Sequence, residues 1–267
     1  MNSANVKVRQ TENVDQFYFL QPTITILFSV ALVVFWRYRR DFTSAVLLYS
    51  LLAYAGAIAI KAVLQAATFN GFEARYGGNA VALGLYLGVQ TMVLEIGGAF
   101  LVAAWAVSRR KLQAKDAEGY GLGLALWENA GLLGVLGLVS LVTISLTLSS
   151  GSPAAQESYS NLIRSRPDLF YPPSQALPLI AWGVLERVTS LLFHFSWGYL
   201  CLLAACFHRR NYVLLALPMG LVDFFVPFYQ SLPLPVFESS LFVLGLVCLG
   251  LTLIVGRGLR SPSRRRR

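Results

Sequence analysis

Glu95, Glu128, His194 and Asp223 are the residues of this 267-residue chain whose types could do chemistry together. Carboxylates activate water or bind a cation, and an imidazole ligates a metal or carries a proton. Each lies inside a long apolar run, where an ionisable group is costly and marks a functional site by default. At 1.5 Å rise per residue, measured from the arginine-rich end of each run, Glu95 lies ~18 Å deep, Glu128 ~12 Å, His194 ~20 Å and Asp223 ~17 Å. Four runs thus place an acid or an imidazole in one layer near the middle of a membrane. Three carboxylates in low dielectric cannot all stay charged without compensation. Either a cation holds them, or some are protonated, or each has its own partner. Hydrogen bonding to neighbouring helices, as packing glue, is the non-catalytic alternative.

Around that layer, Glu186 and Arg187 sit nearer the opposite face, at roughly 30 Å by the same rise. Arg187 and His194 are about two helical turns apart and project from one helix face, so Arg187 is expected to meet a neighbouring helix. Trp197 follows His194 by one turn and sets a bulky ring beside Gly198, a close-approach position. Lys61 is read as lying near the end of its run, where its ammonium snorkels to the interface, the alternative being a charge partner within the bundle. His208 flanks Arg209 as a solvated helix-end residue. Gly121, Gly123, Gly131, Gly134 and Gly137 suggest that the helix carrying them is central to the packing.

The elements that must position these groups follow from composition. With 56% hydrophobic and 13% charged residues, the chain holds more apolar surface than a soluble core can hide. Seven runs are about long enough to span a bilayer: 17–36, 43–67, 80–107, 120–148, 176–207, 212–228 and 237–255. The expected fold is an all-α polytopic transmembrane bundle with its N-terminus outside and its C-terminus cytoplasmic. Residues 1–16 form an external segment and 256–267 a basic cytoplasmic tail. Fifteen of the 22 Lys and Arg then fall on the cytoplasmic side, five outside and two, Lys61 and Arg187, within helices, as the positive-inside rule requires. The tail Arg264 to Arg267 reads as a topology determinant touching anionic lipid. Residues 149–175 read as a solvated external connector with an apolar patch at 169–173, the alternatives being a segment lying on the membrane surface or a cap on the bundle. No basic stripe with interleaved aromatics points to nucleic acid. Cys201, Cys206 and Cys248 have no metal-ligand spacing. The partners implied are the lipid bilayer of the cell membrane and a membrane-embedded protein.

Three stretches carry a resemblance. Leu94-Glu95-Ile96-Gly97-Gly98 lies where the YhfC-type membrane peptidases, relatives of the CAAX-processing intramembrane proteases, have Glu-Glu-x-x-Arg. Gly121-Leu122-Gly123-Leu124-Ala125-Leu126-Trp127-Glu128 resembles their Gly-x-Gly-His-Gly-Gly-x-Glu, and Glu186-Arg187 followed by His194 matches their Glu-Arg and His. The resemblance covers roughly 80–228. The stretch from His194 to Arg210 is also similar to the anterior-pharynx-defective subunit of gamma-secretase, a scaffold and not the protease. The family resemblance implies Glu95 and Glu128 as catalytic carboxylates and His194 with Asp223 as metal ligands. The chain departs from the motifs at Leu94, Gly98 and Leu124, and at Met219, where a further histidine is expected. An oxygen-rich set with one histidine suits Mg, Ca or Mn better than zinc. The expected function is therefore a pseudoprotease, an intramembrane-protease fold acting as scaffold or binding subunit. An active metal-dependent intramembrane peptidase, its cavity open to the cytoplasm, is the alternative. A proton- or cation-coupled transporter is a further one, although no inverted repeat supports it.

Orientation is directly checkable. A phosphatase reporter that needs an extracytoplasmic disulfide is expected to be silent when fused after Arg267 and active when inserted after Ser152. The reverse pattern overturns the orientation.

Overall fold

The computed structural model describes residues 14–150, 152–229 and 231–260. Most of the expected external N-terminal segment and the tail Arg264 to Arg267 lie outside the described residues. Seven helices are long and apolar enough to cross a membrane: α1 (Gln16–Arg39), α2 (Ala45–Tyr76), α3 (Ala80–Ser108), α4 (Ala114–Ser149), α6 (Pro173–Phe207), α7 (Arg210–Phe228) and α8 (Leu234–Arg257). A short helix, α5 (Pro153–Ser165), lies between α4 and α6. The chain is thus an all-α polytopic bundle. Its outer surface is covered with apolar side chains such as Leu27, Val63, Leu101, Leu146, Leu214 and Ile254, all more than half exposed. A surface of that kind is stable only against lipid.

The centre of the bundle is α6. Of its most apolar window, 83% is buried inside the protein, against 17–33% for the other spans, and every residue from Phe193 to Ala205 is buried. Glycine spacing pointed instead to α4 as the central helix, and that expectation needs correction. Only its first half, from Ala117 to Ala125, is continuously buried. Beyond it, Val135, Leu136, Val139 and Leu146 face outward. The glycines do their work locally. A Cβ at Gly121 would run into the Phe195 carbonyl, and one at Gly198 would lie 2.8 Å from Gly121 Cα, so the two glycines let the α4 and α6 backbones touch.

Beyond their first turns, three helices depart from α geometry, each where it carries a carboxylate. Residues Thr91–Ile96 of α3 and Trp127–Gly134 of α4 are π-helical, and Leu217–Phe228 of α7 is a 3₁₀ helix with Pro218 and Pro227. The tighter coil rises ~2.0 Å per residue. That extra rise lets the shortest of the seven spans cover more depth than α geometry would allow.

Residues 149–175 are not a solvated connector. Ser152 caps α5 by accepting from Ala155 N at 3.2 Å. Tyr159, Leu162 and Phe170 pack on a cluster formed by Tyr18, Leu141, Leu148, Leu169 and Ile180. The Tyr18 hydroxyl donates to the Asp168 carbonyl, and Arg166 grips the Asp168 carboxylate at 3.0 and 2.8 Å. Burying this apolar patch over the ends of α1, α4 and α6 outweighs solvating it. At the other end of the bundle, Asp116 accepts from Thr43 N and Gln113 N, both at 2.8 Å, and ties the α1–α2 turn to the start of α4.

The close approach of α4 and α6 predicts that Gly121→Val is destabilising by overpacking, by about 1–3 kcal/mol or more. Gly97→Ala, where no atom lies within 4 Å of an added Cβ, is expected to be silent. Thermal melting in detergent distinguishes the two.

Candidate functional site: a charged cavity inside the bundle

One cavity of about 350 Å³ is lined by residues of α2, α3, α4, α6, α7 and α8. All four residues of the expected mid-membrane layer reach it. His194, buried on α6, is held by its neighbours: its ring lies 4.1 Å from that of Trp197 and 6.1 Å from that of Tyr54, centroid to centroid. Its Nδ1 is 3.0 Å from the Ser190 carbonyl, which accepts a proton from it. Nε2 consequently points at two carboxylates, Glu128 Oε2 at 2.5 Å and Glu95 Oε2 at 3.6 Å. Nitrogen and oxygen lone pairs at 2.5 Å repel unless a proton lies between them. One of the two must therefore carry a proton, and the contact is a close ion pair, since neither atom has a hydrogen-bond partner of good geometry.

The compensating cation of the layer is a residue of the chain itself. Lys61 Nζ donates to Glu95 Oε1 at 2.7 Å, to Thr91 Oγ1 at 2.7 Å and to Asp223 Oδ2 at 2.9 Å. Thr91 Oγ1 lies 3.1 Å from Glu95 Oε1 and 2.5 Å from Asp223 Oδ2, and its single proton serves one of them at a time. The expectation that Lys61 snorkels to the interface is corrected by these contacts. Its helix continues to Tyr76 rather than stopping at residue 67, which leaves Lys61 ~22 Å from the helix end. An ammonium on a four-carbon stem cannot cover that distance, so it finds partners within the bundle.

Further along α6, Arg187 meets α4 as expected, with Nη1 3.7 Å from Glu128 Oε1. Its Nη2 pairs with Glu186, and Asn129 Nδ2 donates to the Arg187 carbonyl at 2.9 Å. A chain of charges thus runs from Asp223 and Lys61 through Glu95, His194, Glu128 and Arg187 to Glu186, whose side chain is 45% exposed. The cavity extends with it, past Val226, Tyr229, Phe237 and Glu238, toward the end of the bundle opposite the arginine-rich turns. The peptidase alternative expected an opening toward the arginine-rich turns, and the cavity runs the other way.

Sequence reasoning ranked Lys61 as a charge partner only second to snorkelling, and missed Thr91, Tyr54 and Glu238. For Lys61 the available signal was the absence of any charge or proline between it and Glu73, which argued for a longer helix. A threonine or tyrosine in an apolar helix carries no comparable signal.

The residues do not fit a metal. The hydrogen bond from Nδ1 to a carbonyl does orient His194 as a ligand would be oriented. Nε2, however, is closed by Glu128, while Glu95 Oε1 and Asp223 Oδ2 are taken by the Lys61 ammonium. Among the described residues, no group of three His, Cys, Asp or Glu is placed to hold a metal ion, and catalytic metal sites use about three protein ligands.

Comparison with known proteins places this geometry in a family. The family model described as YhfC intramembrane metalloprotease matches residues 24–237, a span that encloses the three motif-like stretches. No curated protein and no solved structure matches the chain.

Removing one partner of a buried ion pair costs about 3–5 kcal/mol. Lys61→Met, which keeps the stem and deletes the ammonium, is expected to lose stability on that scale. It should also become stabilised by added calcium or manganese, which can take the vacated place between Glu95 and Asp223. The wild type is expected to ignore both ions. Thermal melting with and without each ion reads both effects, and an unchanged Lys61→Met melt would show that the ammonium compensates nothing.

Proposed function

The chain belongs to the YhfC intramembrane metalloprotease family, and from that premise we propose that it is a catalytically degenerate member. In this reading it keeps the multi-pass membrane fold and its cavity but acts as a scaffold or binding subunit for a membrane-embedded partner.

The observation that carries this reading is the Lys61 ammonium seated 2.7 Å from Glu95 and 2.9 Å from Asp223. Metal-assisted hydrolysis needs a cation that accepts lone pairs from water and substrate and an open position on it. An ammonium supplies charge and hydrogen bonds but has no coordination site. It also neutralises the carboxylates that would bind a divalent ion. The departures from the family motifs act in the same direction, because Leu124 and Met219 stand where the resemblance implies histidines.

In the residue roles that follow, Glu95, Lys61, Asp223 and Thr91 lock α3, α2 and α7 together through one polar cluster. His194 and Glu128 hold α6 to α4 through their close ion pair, and Trp197 and Tyr54 fix the imidazole. Arg187 extends the α4–α6 connection to the cavity rim. These ties keep a cavity of fixed shape at membrane depth, which is what a binding subunit requires of its core.

Purified protein in mild detergent is expected to carry no stoichiometric metal and to leave transmembrane peptide substrates uncleaved. One bound metal per chain that is lost in His194→Ala, together with cleavage lost in Glu128→Gln, would overturn the proposal in favour of an active peptidase whose site rearranges on metal binding.

A further inference from the structure

The outer half of the cavity contains a charge that the network described above does not use. Glu238, near the start of α8, is only 2% exposed, and its Oε2 has no hydrogen-bond partner. Every other carboxylate of the cavity is paired: Glu95 and Asp223 with Lys61, Glu128 with His194 and Arg187, Glu186 with Arg187. Among the described residues no cation stands within ion-pair distance of Glu238. Its nearest candidate in the cavity, Arg187, is already engaged by Glu186 and faces Glu128. The five carboxylates that line the cavity outnumber its cations, Lys61, Arg187 and His194, even with the imidazole protonated.

An uncompensated buried carboxylate is costly, and it is relieved either by taking up a proton or by a ligand that brings a positive charge. The surroundings of Glu238 decide which kind of ligand. Tyr229 and Phe237 meet edge to face with ring centroids 5.5 Å apart, and Val226, Leu132 and Leu241 complete the wall. A metal ion, which wants six or more oxygen ligands, finds too few there, since Glu238, Glu186 and the Tyr229 hydroxyl are the oxygen-bearing side chains of this wall. A protonated amine finds a carboxylate for its N–H groups, aromatic rings beside its charge and an apolar wall for its carbon stem.

The geometry points to a binding site, in the outer half of this cavity, for a primary ammonium carried on an apolar stem, with Glu238 as its counter-ion. This site goes beyond the scaffold reading and stands whether or not the chain cleaves peptides.

The test uses the purified full chain in detergent with n-hexylamine as probe, an amine protonated at neutral pH because alkylammonium groups titrate near ~10.4. Saturable thermal stabilisation is expected with hexylamine and not with hexanol or hexanoate. Glu238→Gln is expected to weaken the response about thirtyfold or more, while its own melting temperature without ligand stays the same or rises, since no unpaired charge is then buried. Glu186→Gln is expected to keep the response, because Glu186 already has Arg187. Should Glu238→Gln not fold, Glu238→Asp, with its carboxylate drawn back by one methylene, is expected to bind more weakly than wild type. Equal stabilisation by hexanol, an undiminished response in both Glu238 variants, or an equal loss in Glu186→Gln would overturn the site. Repeating the titration in nanodiscs separates the sources of the amine. Weaker hexylamine binding in phosphatidylethanolamine than in phosphatidylcholine assigns the site to a lipid headgroup, and equal binding assigns it to a free amine.

Discussion

Charge cannot be left uncompensated where water is excluded, and the interior of this bundle is arranged around that constraint. The Lys61 ammonium is shared between Glu95 and Asp223, and its removal would leave two carboxylates of neighbouring helices facing each other in low dielectric. Because the three residues lie on α2, α3 and α7, the interaction fixes the relative depth and rotation of these helices as well as their charge. The same logic continues on α6, where the ion pair of His194 with Glu128 does for α4 what the ammonium does for α7.

Such a core differs from the apolar packing that holds α4 to α6. There, Gly121 and Gly198 allow backbones to touch, and dispersion over a dense contact surface supplies the stability. Hydrophobic association offers little within a bilayer, since lipid tails are as apolar as leucine. The polar cluster therefore supplies specificity. It admits few alternative rotations of the helices that would satisfy every carboxylate at once.

Much of this was legible in the amino-acid sequence, and the failures have identifiable causes. The seven spans emerged because hydropathy and loop charge both report on the bilayer. The convergence of Glu95, Glu128, His194 and Asp223 emerged because depth in a membrane is nearly a one-dimensional coordinate, set by residue count. Lys61 was misplaced by an error in that count, as α2 runs on to Tyr76 and a deep lysine was read as a shallow one. Partner choice was not legible at all: that Thr91 bridges Glu95 and Asp223, or that Glu238 is left without a cation, depends on rotation about helix axes and on side-chain torsions. The loop between α4 and α6 was misjudged because its apolar residues are too few to announce a buried face until Tyr18 and Leu148 are seen beneath them.

The two π-helical stretches, in α3 and α4, have an implication for how such a bundle can vary. A π turn takes in roughly one residue more than an α turn, so each stretch behaves as an inserted residue absorbed without breaking the rod. Losing one residue from 91–96 or from 127–134 would let regular coiling resume with the flanking turns keeping their faces, so that only the side chains of the stretch itself are re-aimed. Glu95 and Glu128 would then sweep away from His194 while the outer surface of the bundle changed little. Length variation at these two places is thus a route by which a single indel could dismantle or rebuild the polar centre without disturbing membrane insertion.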